Sequence, residues 1–189
     1  MDSRPLLTRV VKETSGLIDG LTDAQMAAPS PCAGWTVRDV INHITGGATM
    51  FAISAEQGSV PDDVLGQLMG GDNLGNDPKG AWKDAAARAM AAFEDSSVLE
   101  KNVKLPFGEM PGGVALTIAV FDVATHACDI AKAAGKEIAD TELLETALGV
   151  GKEMIGPEMR APGLFDPEVA VADDAPTATR LLAFAGRRV

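Results

Sequence analysis

Three polar residues in one apolar segment have types and spacings that could support chemistry. The segment ALTIAVFDVATHACDIAKAAG contains Asp122, His126 and Asp129. In an α-helix, spacings of four and three residues place these side chains on one stripe, with neighbouring Cβ atoms about 5–6 Å apart. A carboxylate and an imidazole one turn apart can bind the same divalent ion, as paired histidines do in helical zinc motifs. Asp122 and His126 are therefore candidate metal ligands.

The remaining ligand of such a site has to come from another part of the chain. The sequence contains one other histidine, His43, within PSPCAGWTVRDVINHITGG at residues 29–47. Two imidazoles and one carboxylate leave open positions on a tetrahedral or octahedral ion, where water, a substrate or a thiol can bind. The stripe around Asp122 is otherwise apolar, and a buried carboxylate is costly unless it is paired or bound to a cation. These observations predict a metal centre formed by His43, Asp122 and His126.

Simpler interpretations of the same residues stay open at this point. A single histidine on an apolar helix face is commonly a hydrogen-bonded core residue, and an Asp–His pair one turn apart is often only a surface contact.

Cys128 should lie on the side of its helix away from His126, which favours packing over metal binding. Cys32 precedes the second helix, either as a small buried side chain or as a thiol near the site. The sequence has no Ser-His-Asp order, P-loop or G-x-G-x-x-G motif.

The helix that should carry His43 has clear boundaries in the sequence. Thr36 is a suitable N-cap, and Asp39 three residues later resembles the acid of a capping box. Apolar residues then recur at spacings of three and four, and the helix should end near Gly58. The pair Gly46-Gly47 within it would allow close approach of another backbone or of a ligand.

The other predicted elements follow from the same signals of periodicity, proline and glycine. They are a first helix over about 4–27, a short helical turn at 62–69, a third helix at 79–95, an extended excursion at 98–113, a fourth helix at 114–134 ended by Gly135, a fifth at 140–155, a short strand at EVAVA (168–172) and a last helix at TATRLLAFAGR (177–187). Together they predict an all-α, single-domain protein over residues 1–189. Four long helices form the bundle, with additional short helices and a minor extended segment near the C-terminus.

Charge and hydropathy limit the partners that we expect. The formal net charge is −11, and such a surface repels nucleic acids and anionic membranes. No run of 18 apolar residues is present, and the N-terminus lacks the continuous apolar core of a signal peptide. Two cysteines are too few for a disulfide framework, so the simplest expected location is the cytoplasm, where thiols stay reduced.

Four segments carry a family resemblance that covers nearly the whole chain. PSPCAGWTVRDVINHITGG resembles the signature TPC-x-GW-x-V-x-D-L-x-x-H of the mycothiol-dependent maleylpyruvate isomerase N-terminal family. The similarity continues in LPFGEMPGG, DVATHACDIAKAAG and DAPTATRLLAFAGR. That family belongs to the DinB-like metal-binding four-helix bundles. The chain looks most like a short actinobacterial branch that lacks the larger enzyme's additional C-terminal domain.

The resemblance implies a site and a chemistry. The family's ligands, a histidine in the second helix and an acid-x-x-x-His pair in a later helix, match His43, Asp122 and His126 by position. The implied ion is zinc, with nickel as an alternative, and the implied cosubstrate is mycothiol or a similar low-molecular-weight thiol that attacks a small electrophile in isomerisation or S-transfer. Asp129 is expected to orient an imidazole N–H next to the metal.

The sequence also departs from the family pattern, and it leaves some questions open. The larger isomerase has Glu where this chain has Asp122, and related short proteins often have His-x-Trp-Asp-Leu where this chain has HACDI. A metal-binding or sensing bundle without catalysis is the alternative to an enzyme, and a trio with a purely structural role is a third interpretation. The sequence does not determine the oligomeric state, and a homodimer is one of the assemblies that it allows.

Overall fold

The computed structural model describes residues 2–160 and 165–189, and within them the chain is mainly helical. The α-helices are α1 (Arg4–Asp19), α2 (Asp23–Met26), α3 (Val37–Gln57), α4 (Asp62–Gly70), α5 (Pro78–Ala92), α6 (Gly112–Ala134), α7 (Thr141–Met154) and α8 (Thr177–Phe184), and the strands are β1 (Asn102–Leu105) and β2 (Gly108–Pro111). The all-α prediction is confirmed.

The first predicted helix is in fact two helices. α1 ends at Asp19, and Gly20 caps it with N–H bonds to the carbonyls of Leu17 and Ile18. Thr22 then begins α2 with a complete capping box, in which its side chain accepts from Gln25 N while the Gln25 side chain accepts from Thr22 N. The prediction of one continuous helix over 4–27 was wrong because the apolar period continues across this pair of caps.

The helix that carries His43 has the predicted boundaries. The Thr36 side chain accepts from Asp39 N, the Asp39 carboxylate accepts from Thr36 N, and Gly58 ends α3 in the left-handed region at φ 82°. Within the helix, a Cβ on Gly46 would lie 2.4 Å from the carbonyl oxygen of Leu68, so α4 approaches α3 at a distance that only glycine allows. The predicted close approach of a backbone at this pair is thus present at Gly46.

The predicted extended excursion contains a β-hairpin. β1 and β2 pair antiparallel, with Val103 opposite Met110 and Leu105 opposite Gly108. Val103 and Leu105 are buried, so one face of the hairpin covers the helical core. Gly112 follows directly, and a Cβ there would lie 2.2 Å from the carbonyl oxygen of Val98, which requires glycine where α6 begins.

α6 is the central helix of the fold. It packs against α1, α3, α7 and α8, and most of its side chains are buried. By length and composition α6 could cross a membrane, but 78% of its most apolar window is buried inside the fold, as in the core helix of a globular protein. The left-handed Gly135 ends α6 as predicted.

The C-terminal region differs from the prediction at one segment. The predicted strand at 168–172 is wrong: these residues join no sheet, and the Val169 N–H bonds to the carbonyl of Ala183 instead. Alternating side chains made EVAVA strand-like, but the segment is largely exposed and pairs with no strand among the residues that the structure describes. α8 follows, and Gly186 at φ 84° turns the chain so that Arg187 N bonds to the carbonyl of Leu182.

Candidate metal centre

The packing of α3 against α6 brings the three predicted ligands together. His43 Nε2 lies 3.4 Å from Asp122 Oδ1, and His126 Nε2 lies 3.6 Å from the same oxygen. The centroids of the two imidazole rings are 4.8 Å apart, in an edge-to-face arrangement. One nitrogen from each of two helices therefore faces a single carboxylate oxygen.

The electrostatics of this trio favour a negative carboxylate. Burial acts to raise the pKa of Asp122, but the neighbouring imidazoles of His43 and His126 and the guanidinium of Arg187 outweigh it and leave the pKa below its ordinary value. Burial acts to lower the pKa of His43, and the Asp122 carboxylate reverses this and raises it. The site thus holds a carboxylate whose negative charge attracts a cation.

The second nitrogen of His126 is also engaged. His126 Nδ1 lies 2.9 Å from Asp129 Oδ2, and Asp129 is fully buried at 0% exposure. A carboxylate on Nδ1 favours the tautomer with its proton on Nδ1, which leaves the lone pair of Nε2 directed at Asp122 and His43. This contact would allow Asp129 to orient the imidazole, and that role stays a prediction.

Two further side chains converge on the Asp129 carboxylate. The Cys32 thiol donates to Asp129 Oδ2 at 3.1 Å. Arg187 donates from Nη2 to Oδ2 at 3.2 Å and from Nε to Oδ1 at 3.4 Å. The structure thus puts Cys32 beside the site, the sharper of the two interpretations left open for it. Sequence reasoning missed Arg187, which lies 58 residues after its partner Asp129.

Burial and charge determine the protonation of this second group. Burial and the Asp129 carboxylate raise the pKa of Cys32 to about 12, although Arg187 acts to lower it. Burial acts to raise the pKa of Asp129, but bonds from His126 together with Arg187 and Cys32 bring it below its ordinary value. The group therefore consists of a neutral thiol, a carboxylate and a guanidinium. Cys128, 1% exposed, packs in the core as expected.

Trp35 borders the histidine pair. Its ring centroid lies 5.3 Å from that of His43 and 6.2 Å from that of His126, and it is stacked on the latter with an angle of 15° between planes. The Trp35 ring covers one side of the two imidazoles. Trp35 is itself 38% exposed, so part of its ring is accessible to solvent. Its position follows from the turn at residues 32–35, where Trp35 N bonds to the carbonyl of Cys32.

The sequence of residues 7–131 matches the family described as the mycothiol maleylpyruvate isomerase N-terminal domain. This range is two-thirds of the chain and includes all three residues of the trio. The chain belongs to this family. The match confirms the resemblance seen in the sequence, and Arg187 lies beyond the matched range.

Relatives of similar length exist in mycobacteria. The chain is 32% identical over 181 residues to the uncharacterized proteins MT0763 and Rv0738 from two strains of Mycobacterium tuberculosis, and the alignment covers 93% of this chain and 92% of each relative. The similarity therefore extends past the family match into the C-terminal region that contains α7.

Solved structures share the fold. The structure of the mycothiol-dependent maleylpyruvate isomerase superposes with a TM-score of 0.64 at 18% identity, covering 78% of this chain and 65% of that protein. A mutant of the same isomerase gives the same TM-score at 16% identity. At this identity the likeness shows the fold alone, which is the DinB-like bundle predicted from the sequence. The chain spans about two-thirds of the isomerase.

Proposed function

We propose that this protein is a divalent-metal-dependent enzyme that uses a low-molecular-weight thiol of the mycothiol type to transform a small electrophile. His43, Asp122 and His126 would bind the metal. The observation that carries the proposal is the convergence of His43 Nε2 and His126 Nε2, from two different helices, on one oxygen of Asp122. Membership of the family supports the same thiol, because the family description names mycothiol.

The donor atoms fit a divalent ion of the zinc type. Ligands on a tetrahedral ion with bonds near 2.0–2.1 Å lie about 3.4 Å from one another. The separations of Asp122 Oδ1 from the two imidazole nitrogens, 3.4 and 3.6 Å, match that spacing. The three ligand atoms all lie within 4.8 Å of one another. Two imidazoles and a carboxylate suit zinc and also accept nickel, so the donor set favours Zn²⁺ without excluding Ni²⁺.

The residues of the chain have separable roles in this proposal. A divalent cation at the trio would lower the pKa of a bound thiol, so that the cosubstrate reacts as its thiolate. Asp129 would keep the proton of His126 on Nδ1 and so direct Nε2 toward the ligand side. Trp35 would exclude water from one side of the site and offer its exposed ring to the organic part of the cosubstrate. The Cys32 thiol, with its pKa raised to about 12, is not the nucleophile.

Because a mycothiol-dependent isomerase shares this fold, we favour isomerisation as the reaction of this protein. In isomerisation the thiol adds to the substrate and is then released. In S-transfer the thiol would remain in the product. We place this chemistry in the cytoplasm, where low-molecular-weight thiols stay reduced.

The metal is tested first, on protein purified without a metal-affinity tag. We expect one zinc per chain by elemental analysis, and we expect Asp122→Asn to lose it because the shared carboxylate charge is gone. Asp84→Asn is the matched control, since Asp84 is an exposed acid on α5. Full occupancy in Asp122→Asn would overturn the proposed ligand set.

The thiol is tested on protein loaded with cobalt. Mycothiol added to this protein should produce a cobalt–thiolate charge-transfer band, which should persist in Cys32→Ser and be absent in Asp122→Asn. The zinc protein is then given maleylpyruvate and an aryl halide, with and without mycothiol. Release of free mycothiol indicates isomerisation, and its retention in the product indicates S-transfer. A cobalt-loaded protein that gives no band with mycothiol would instead favour the non-catalytic metal-binding bundle.

A further inference from the structure

A second set of metal-ligand atoms lies on the far side of His126 from the trio. Cys32 Sγ lies 3.1 Å from Asp129 Oδ2 and 3.9 Å from His126 Nδ1, and His126 Nδ1 lies 2.9 Å from Asp129 Oδ2. Once the thiol and Nδ1 release their protons, a thiolate, an imidazole and a carboxylate at these separations are a donor set for zinc or cadmium. His126 belongs to both sets, with a different nitrogen directed at each.

This second set already contains a cation. Arg187 Nη2 lies 3.3 Å from Cys32 Sγ and 3.2 Å from Asp129 Oδ2, and Arg187 Nε lies 3.4 Å from the other carboxylate oxygen. Its remaining terminal nitrogen donates to the carbonyl of Ala185 at 2.8 Å. The side chain is only 16% exposed, so it is not a free receptor for an anionic substrate.

The chain after α8 holds Arg187 in this position. Gly186 adopts φ 84°, and a Cβ there would lie 2.6 Å from Asp166 Cβ, so a glycine is needed for the turn. Arg187 N then bonds to the carbonyl of Leu182, which fixes the backbone from which the guanidinium points back to α6.

We propose that Arg187 is the resident cation of the Cys32–His126–Asp129 set and restricts the protein to one metal ion. The guanidinium neutralises the Asp129 carboxylate and repels a second cation at the same donors. Asp129 is then left to hold His126 by Nδ1, and only Nε2 faces His43 and Asp122. Arg187 is thus a positioning residue. The statement about Nε2 rests on the proposed metal centre, whereas the exclusion of a metal ion from the Cys32–His126–Asp129 set does not.

The test replaces the cation with an uncharged side chain and counts metal ions. Arg187→Met, titrated with Cd²⁺, should bind one more equivalent than the wild-type protein and develop a cadmium–thiolate band in the ultraviolet. The double variant Arg187→Met with Cys32→Ser should lose that band. Arg188→Met is the matched control, because it removes an adjacent arginine and should behave as wild type.

Two further measurements keep the proposal falsifiable if Arg187→Met folds poorly. Arg187→Lys retains the positive charge and should bind no extra Cd²⁺. Wild-type protein with excess Cd²⁺ should show no thiolate band. A band in the wild-type protein that disappears in Cys32→Ser would overturn the proposal, as would a folded Arg187→Met without an additional equivalent.

Failure of the proposed function is recognised separately. Asp122→Asn removes a ligand of the trio and leaves the Cys32 set intact. In the double variant Asp122→Asn with Arg187→Met, the thiolate band should therefore remain even if the wild-type protein binds no metal at its trio. Loss of the band in this variant, with the fold retained, would count against the resident-cation proposal itself.

Discussion

At the scale of single residues, His126 is the residue that links the two halves of the site. Its Nε2 faces Asp122 and its Nδ1 faces Asp129, so opposite edges of one ring meet carboxylates with different surroundings. Asp122 has a partly exposed side chain and imidazole neighbours, whereas Asp129 is fully buried against a guanidinium. The free negative charge is therefore at Asp122, on the side where a cation can bind.

The two cysteines should be unreactive in the folded protein. Burial, with a contribution from Asp129, raises the pKa of Cys32 and of Cys128 to about 12. At pH 8 the thiolate fraction is then about 10⁻⁴, compared with about a quarter for an unperturbed cysteine of pKa near 8.5. We expect alkylation by iodoacetamide, followed by intact mass, to be about a thousandfold slower than in the denatured chain. Rapid modification of Cys32 in the native protein would contradict this.

At this scale the sequence was informative where the signal is local. The spacing of Asp122 and His126 on one helix and the scarcity of histidine led to the prediction that this pair and His43 lie together, and the structure places the two imidazoles 3.4 and 3.6 Å from Asp122 Oδ1. Asp129 followed from the same stripe. Arg187 could not be found this way, because its role depends on a turn at Gly186 and on how α8 packs against α6, and neither leaves a local pattern around an arginine.

At the scale of elements, the capping box of α3 should make part of the stability depend on pH. The hydroxyl and backbone N–H of Thr36 lower the pKa of Asp39, so the ionised form favours the folded state. This contribution is complete above the ordinary pKa of 3.8 and is lost as the pH falls through the lower folded value. Thr36→Ala should cost about 1 kcal/mol at pH 7 and less at about pH 3, measured by urea unfolding.

The capping box of α2 provides the comparison. Thr22 pairs with Gln25, which does not titrate, so the cost of Thr22→Ala should be the same at both pH values. An equal cost of Thr36→Ala at pH 7 and pH 3 would show that Asp39 adds nothing through its charge.

Most elements could be predicted because their caps and periodicity agree. Thr36 and Gly58 predicted the two ends of α3, and Gly135 predicted the end of α6. The prolines and glycines of 98–113 indicated the interruption between helices in which the β-hairpin lies. The errors occurred where two signals compete. A continuing apolar period concealed the cap at Thr22, and alternation at 168–172 suggested a strand although none of the described strands pairs with it.

At the scale of the whole molecule, the proposed metal would connect two helices that are distant in sequence. His43 lies on α3, and Asp122 and His126 lie on α6, and these two helices pack directly against each other. Unfolding would separate the ligands, so a bound ion should stabilise the folded chain as a whole and not only its surroundings. The acidic surface, with a net charge of −11, acts in the same direction by attracting cations in general.

Thermal unfolding distinguishes specific binding at the trio from this general attraction. With free Zn²⁺ at about 100 times its Kd, the stabilisation is about 2.7 kcal/mol, which for a chain of this size raises Tm by roughly 5–11 °C. We expect this shift in the wild-type protein and in Asp84→Asn, measured by calorimetry, and its removal by a chelator. Asp122→Asn should lose most of it, because the carboxylate that both imidazoles face is then uncharged. A shift of equal size in Asp122→Asn would mean that zinc binds elsewhere on the acidic surface.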